Sequence, residues 1–185
     1  MSSPLIRWRS LSKWSENANE RHRKNTAKLK TISLFKAFAE DEASLRKLAS
    51  IMEIRKFAAG DRIIGEGEQG DNMFILSKGS VSVEKRTLKD DSYTVVKLVE
   101  SMNVFFGELA LMDDDVRSAT VLAESDCECF SIRKADFERL GDENPVIGLK
   151  VTREIAKILG ARLRNSSRDN IILFEALVSE IEDVE

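Results

Sequence analysis

The chain has little of what metal centres and disulfide frameworks need. Its 185 residues include one histidine and two cysteines. A catalytic metal in a cupin-like barrel takes several imidazoles or carboxylates, and the strand-rich region has no histidine. Cys127 and Cys129 are far from His22 in sequence and are predicted to be reduced thiols on one face of a strand, with Phe130 and Ile132 on the other. We therefore predict no metal and no catalytic residue.

Long hydrophobic runs are also missing. No stretch is apolar enough to cross a bilayer, and the N-terminus, SSPLIRWRSLSKW, never becomes the apolar run of a signal peptide. The composition, 42% hydrophobic and 33% charged, is that of a globular protein. The cytoplasm is the expected compartment.

Positive charge is concentrated at the N-terminus. Residues 1–36 carry nine Lys and Arg against two Glu, a net +7, and the remaining chain carries −10. Such an arm can bind nucleic acid or lipid, or dock on its own acidic body. Trp8 and Trp14 can likewise face a membrane or pack on the body or on a second subunit. Nothing else in the sequence is typical of nucleic-acid binding.

Hydrophobic periodicity divides the chain into three parts. Residues 1–31 are predicted to be a basic helical arm, with a helix from Ser10 to Lys30. Residues 32–143 are a β-rich domain with its first helices, including one from Asp41 to Met52. Residues 144–185 are a C-terminal helical segment.

The C-terminal segment is predicted to begin with Asn144 as the helix cap and Pro145 in the first turn. An apolar stripe then runs from Ile147 to Leu163. The polar residues 165–167 either break this helix or lie inside one long helix, and the sequence leaves both open.

The β-rich part contains six or more short strands separated by turns, which favours an antiparallel sandwich or jelly roll. The strand segments are RIIGE, NMFILS, SVSVEK, YTVVKLV, SATVLA and CECFSI. Residues 106–112 interrupt the alternation and are predicted to form a single helical turn.

Residues 106–120, FGELALMDDDVRSAT, are predicted to bind a phosphate with a sugar beside it. A turn that begins at Gly107 exposes unpaired N–H groups, and glycine lets a ligand approach the backbone. The guanidinium of Arg117 suits a phosphate, and Ser118 adds a hydroxyl. The Glu108 carboxylate would repel a phosphate, but it can accept a hydrogen bond from a ribose hydroxyl while Arg117 balances the charge of the carboxylate. Together these groups describe a nucleotide site.

The same segment resembles the phosphate-binding cassette of the cyclic-nucleotide-binding domain family, shared by bacterial catabolite activators, kinase regulatory subunits and gated ion channels. The family pattern runs Phe-Gly-Glu, an apolar residue, Ala-Leu, a variable stretch, then Pro-Arg and small residues. Further matches in order and spacing are Gly60, Ile63, Glu66-Gly67, Gly70-Asp71, Met73-Phe74-Ile75, Gly79, Phe137, Leu140 and Asn144-Pro145. The resemblance covers about residues 32–165. It implies a mainly β protein, an antiparallel jelly-roll barrel of about eight strands with N-terminal helices and a long C-terminal helix.

The resemblance also implies the ligand contacts. Gly107 and Glu108 would supply a backbone amide and the ribose 2′-hydroxyl acceptor, Arg117 would bind the cyclic phosphate, and Ser118 with Ala119 would contact phosphate or purine. The ligand-binding residues implied are Phe106, Gly107, Glu108, Leu109, Ala110, Arg117, Ser118 and Ala119.

Two positions depart from the family pattern. Val116 replaces the proline before the arginine, which leaves the turn less rigid. Asn103 replaces a glycine, a swap that is tolerable because asparagine adopts left-handed conformations. After the arginine, relatives have alanine with cyclic AMP and threonine with cyclic GMP. This chain has Ser118 there. Serine at this position occurs in bacterial cyclic-AMP receptors and favours cyclic AMP, although its hydroxyl could also contact a guanine.

The resemblance implies a sensor of cyclic AMP or cyclic GMP, not an enzyme and without a cofactor, that signals through its C-terminal helix to a protein partner or a homodimer mate. Two alternatives stay open. One is a degenerate domain that acts only as an interaction scaffold, with Glu108 and Arg117 as a structural ion pair; the other is a cyclic dinucleotide receptor. No direct DNA reading is expected, because the 21 residues after Arg164 cannot hold a three-helix reader.

Overall fold

The computed structural model describes residues 25–87 and 91–182. Residues 25–31 are helical (α1), and a short 3-10 helix follows at Ser33–Phe38. α2 spans Glu42–Ser50, and the Asp41 carboxylate accepts a hydrogen bond from the Ser44 amide at 3.0 Å. The predicted second helix is thus confirmed, but it ends at Ser50, two residues before the predicted end. The basic arm before residue 25, including Trp8 and Trp14, lies outside the described residues.

Eight antiparallel strands form two four-stranded sheets, ordered β1-β8-β3-β6 and β2-β7-β4-β5. The strands are β1 (Met52–Phe57), β2 (Arg62–Ile64), β3 (Asn72–Lys78), β4 (Ser80–Arg86), β5 (Ser92–Val99), β6 (Phe105–Phe106), β7 (Thr120–Ala123) and β8 (Cys127–Arg133). All six predicted strand segments form strands, and the predicted number of strands is confirmed.

The predicted antiparallel jelly roll is confirmed, but the described strands do not close into a barrel. Each sheet keeps its own ladders, and the first ends at β6, which has only two residues and pairs with β3 alone. A strand of two residues has too few backbone groups to form a second hydrogen-bond ladder with the other sheet. The jelly-roll strands therefore form two packed sheets. Four of the six residues of β1 are exposed, and its sequence MEIRKF therefore lacks a regular alternation of apolar and polar residues. For this reason β1 was not predicted individually.

Two cores lie on opposite faces of the first sheet. The inter-sheet core holds Ile64, Phe74, Leu76, Val81, Phe106, Val121, Ala123, Cys127 and Cys129. The helix-side core includes Leu29, Ile32, Leu34, Phe35, Phe38, Leu45, Leu48, Met73, Ile75, Phe105, Phe130, Ile132, Ile147, Val151 and Ile155. β8 sends its two cysteines, both free thiols, into the inter-sheet core and its Phe and Ile into the helix-side core, as predicted.

The chain closes with α3 (Lys134–Glu143) and α4 (Pro145–Glu182), a single 38-residue helix. Residues 165–167 do not break α4, and the Ser167 hydroxyl donates to the Leu163 carbonyl at 2.9 Å. The predicted side-chain cap at Asn144 is wrong. The Asn144 side chain accepts a hydrogen bond from Lys47 and donates one to the Leu140 carbonyl. The Asn144 backbone carbonyl accepts a hydrogen bond from the Ile147 amide at 2.9 Å.

Among the described residues, the buried side chains of α4 lie in its first part. Ile147, Val151 and Ile155 are almost fully buried, whereas Leu163 is 70% exposed. The predicted apolar stripe is therefore core at its beginning and surface at its end. No helix within residues 25–87 and 91–182 combines the length and apolarity needed to span a membrane.

Candidate functional site

The predicted helical turn is a four-residue 3-10 helix, Glu108–Leu111, entered through Gly107. Gly107 has φ 73°, in the left-handed region. A Cβ there would lie 2.9 Å from Arg117 Nη1 and 2.9 Å from a methyl carbon of Ile64. Both conformation and space therefore require glycine at this position. The turn is anchored by β6, where Phe106 stacks on Phe74 at 5.6 Å between ring centroids.

Arg117 is a buried cation held by carbonyl oxygens. Its side chain is 8% exposed. Nη1 donates to the Gly107 carbonyl at 3.2 Å, and Nη2 donates to the backbone and side-chain oxygens of Asn72 at 2.7 and 2.8 Å. Burial lowers the pKa of the guanidinium and the nearby Asp71 carboxylate raises it. An arginine remains charged under such a shift, so the site holds a positive charge.

The loop before β3 makes room for this cation. The Arg117 amide donates to the Glu68 carbonyl, and the Arg117 carbonyl accepts from the Gly67 amide, both at 2.9 Å. A Cβ at Gly70 would overlap the guanidinium. Asn72 is oriented from the other side because its Nδ2 donates to the Ser131 hydroxyl at 3.0 Å. Asn72 was missed at the sequence level, although it directly follows the Gly70-Asp71 match.

Glu108 is paired with a residue of α4, not with Arg117. The Glu108 carboxylate is almost completely buried and accepts a hydrogen bond from Arg162, which is 55% exposed. The expectation that Arg117 balances Glu108 is therefore wrong, as is the ion pair assumed for a degenerate domain. Arg117 is occupied by Asn72 and Gly107. Arg162 lies 54 residues from Glu108, and no local signal separates it from the other arginines of α4.

All eight predicted site residues line one cavity of about 550 Å³. The cassette lines this cavity, and residues of β4 and β5 form a wall that is apolar except for Lys85. α4 forms a further wall with Leu159, Arg162, Leu163 and Ser166. The strand-wall residues are Val83, Lys85, Val95, Val96 and Leu98. Neither wall was predicted, because both depend on how distant elements meet.

The cavity thus combines an apolar interior, a buried cation and a buried carboxylate. This set can hold a ligand with an anionic group, a hydroxyl and an apolar or aromatic part. Within the two described ranges, no three His, Cys, Asp or Glu side chains are grouped as a metal site would require.

Comparison with known proteins agrees with this geometry. The cyclic nucleotide-binding domain family model matches residues 54–144. The chain is 36% identical over 143 residues to human cGMP-dependent protein kinase 2, a match that covers 77% of this chain and 17% of the kinase. The chain thus spans less than a fifth of that relative.

Two solved structures share the fold. The catabolite activator protein of Thermus thermophilus superposes with a TM-score of 0.67 at 27% identity, over 76% of this chain and 62% of that one. The regulatory domain of Toxoplasma gondii PKA, crystallised with cAMP, gives 0.64 at 25% identity, over 77% and 52%. Through the domain at residues 54–144, the chain belongs to the cyclic nucleotide-binding domain family.

Proposed function

We propose that this chain is a sensor of a cyclic purine mononucleotide, cyclic AMP or cyclic GMP, whose occupancy is reported by α4. The observation that carries the proposal is the shared cavity: the buried Arg117 and Glu108 line it, and so does α4. Its volume of about 550 Å³ lies in the usual range for small-molecule sites, ~300–1,000 Å³.

Each part of the ligand has a matching group in this arrangement. The cyclic phosphate would meet Arg117 and the first N–H groups of the 3-10 turn, which have no partner inside a short helix. The ribose 2′-hydroxyl would donate to Glu108. The base would lie between the valine-rich strand wall and α4, where Ser118 is also at the lining.

The Glu108–Arg162 pair connects the site to the rest of the molecule. A ribose hydroxyl on Glu108 changes the environment of the carboxylate that holds Arg162, so occupancy favours one position of α4 over another. A ligand shifts such an equilibrium only by its differential affinity for the two positions. The output of the domain then passes through α4 to a protein partner or a second copy. A cytoplasmic location and the division at residues 31/32 and 143/144 stay predictions.

Calorimetric titration with cyclic AMP, cyclic GMP and a cyclic dinucleotide tests the proposal. We expect saturable binding of at least one mononucleotide, and no binding of the dinucleotide, which has about twice as many atoms. Binding of the dinucleotide alone would contradict the ligand class. Absence of binding to all three would favour the scaffold alternative. Ser118→Ala separates the bases: a similar loss for both mononucleotides indicates phosphate contact, and a loss for cyclic GMP alone indicates guanine contact.

A further inference from the structure

The distal half of α4 carries large apolar side chains that the described structure leaves uncovered. All residues from 161 to 176 are exposed. The large apolar side chains exposed in this stretch are Leu163, Ile171, Ile172, Leu173 and Phe174, and Val178 lies just beyond it; they are 36–70% exposed. A contiguous apolar surface of this kind marks an interaction site.

One face of this helix forms a continuous seam, which we define as Ser167, Ile171, Phe174 and Val178. At about 100° per residue, spacings of three and four residues place these side chains along one side of the helix. The Ser167 hydroxyl already donates to the Leu163 carbonyl at 2.9 Å, so it needs no water and leaves a small gap in the seam. Ile172 and Leu173 lie on other sides of the helix.

Charges beside the seam favour one orientation of a partner helix. Arg168 and Glu175 are seven residues apart, so they share one edge of the seam but lie ~10 Å apart along the axis. Neither forms an ion pair within residues 25–87 and 91–182. An antiparallel copy of the helix brings its Glu175 to Arg168 and its Arg168 to Glu175 at once. In a parallel copy this edge faces the opposite edge of the partner helix, so neither of these two ion pairs can form.

We propose that two copies of the chain pair antiparallel through this seam, with a two-fold axis between Ile171 and Ile172. The pairing is isologous and closes on itself. In this register Phe174 of one copy is level with the space between Ser167 and Ile171 of the other, where the small serine accommodates the ring. The proposal rests on α4 as the output element of the proposed function. Pairing is measured without nucleotide, so its failure is distinct from a failure of ligand binding.

Sedimentation and light scattering of the full chain over a range of concentrations test the pairing. We expect a concentration-dependent dimer that Phe174→Ser weakens at least about tenfold, since each dimer loses two buried rings. Leu173→Ser is the matched control, because Leu173 is 67% exposed and Phe174 is 66% exposed, and it should leave the dimer unchanged. Circular dichroism checks that both variants are folded. A monomer at every concentration, or equal losses in both variants, would overturn the proposal.

The orientation is tested separately. Arg168→Glu and Glu175→Arg should each weaken the dimer several-fold, and the double variant should restore it, because two attractive pairs return. A spin label on the variant Asn165→Cys is selective, since Cys127 and Cys129 are buried. In the antiparallel pair the two labels should be separated by ~20 Å along the helix axis. In a parallel pair they would lie at the same height, on helices whose axes are ~10 Å apart. Labels found level, or a double variant no better than the singles, would overturn the antiparallel assignment.

Discussion

Single residues of the cassette are held by backbone groups more than by other charges. Arg117 donates hydrogen bonds to the Gly107 and Asn72 carbonyls and to the Asn72 side-chain oxygen. These neutral oxygens orient the guanidinium without neutralising it; burial lowers its pKa, and the nearby Asp71 carboxylate raises it. Arg117 is therefore a buried cation that forms no salt bridge within the described residues.

Arg117→Ala should weaken nucleotide binding at least about 30-fold. Truncation of a buried charge partner costs ~2–5 kcal/mol, and each ~1.4 kcal/mol is a factor of ten. Calorimetry with the mononucleotide that binds the wild type measures the loss. Arg46→Ala is the control, because Arg46 is exposed on α2 and far from the cavity. Wild-type affinity in Arg117→Ala would show that Arg117 does not bind the phosphate.

At the scale of elements, α4 has two roles along its length. Its first turns are part of the helix-side core through Val151 and Ile155, and its middle forms a wall of the cavity. The helix is held to the cassette by Arg162 and Glu108. Since the carboxylate is buried and the guanidinium half exposed, the pair stabilises mainly by neutralising Glu108.

Arg162→Ala should lower the free energy of unfolding by ~1–2 kcal/mol, below the ~3–5 kcal/mol of a fully buried pair because water screens the exposed partner. Denaturant unfolding measures the change. Arg153→Ala on the same helix is the control: Arg153 is exposed and forms no ion pair within the described part of the chain, so a change within ~0.5 kcal/mol is expected. Equal effects of the two variants would show that the Glu108 contact contributes nothing.

Features set by local chemistry could be predicted from the sequence, and features set by the meeting of distant elements could not. Asn103 does adopt the left-handed conformation, with φ 52°. Its Oδ1 also accepts from Lys28 at 3.0 Å and from Thr31 at 2.9 Å, which ties α1 to the entry of the cassette. A glycine could not make these contacts. They were not predictable, because the residues are more than 70 positions apart. The same holds for Arg162 at Glu108.

For the whole molecule, the two cores determine how far a ligand effect can travel. Phe105 lies on β6 before the 3-10 turn, and Leu111 is the last residue of that turn. Both belong to the helix-side core, together with Leu29 of α1 and Ile155 of α4. A movement of the cassette is therefore transmitted directly to α1 and α4, because the side chains of this core are closely packed.

Hydrogen exchange with and without saturating nucleotide tests this connection. We expect stronger protection in residues 105–119, and also changed protection in α1, in the 3-10 helix Ser33–Phe38 and in residues 145–166 of α4. The edge strand β1 packs away from the cavity and serves as the internal reference. Equilibrium shifts of this kind require the bound and free states to differ in their α4 contacts. Protection changes confined to the cassette would show a pocket that binds without transmitting a signal, and the sensor proposal would fail at its output step.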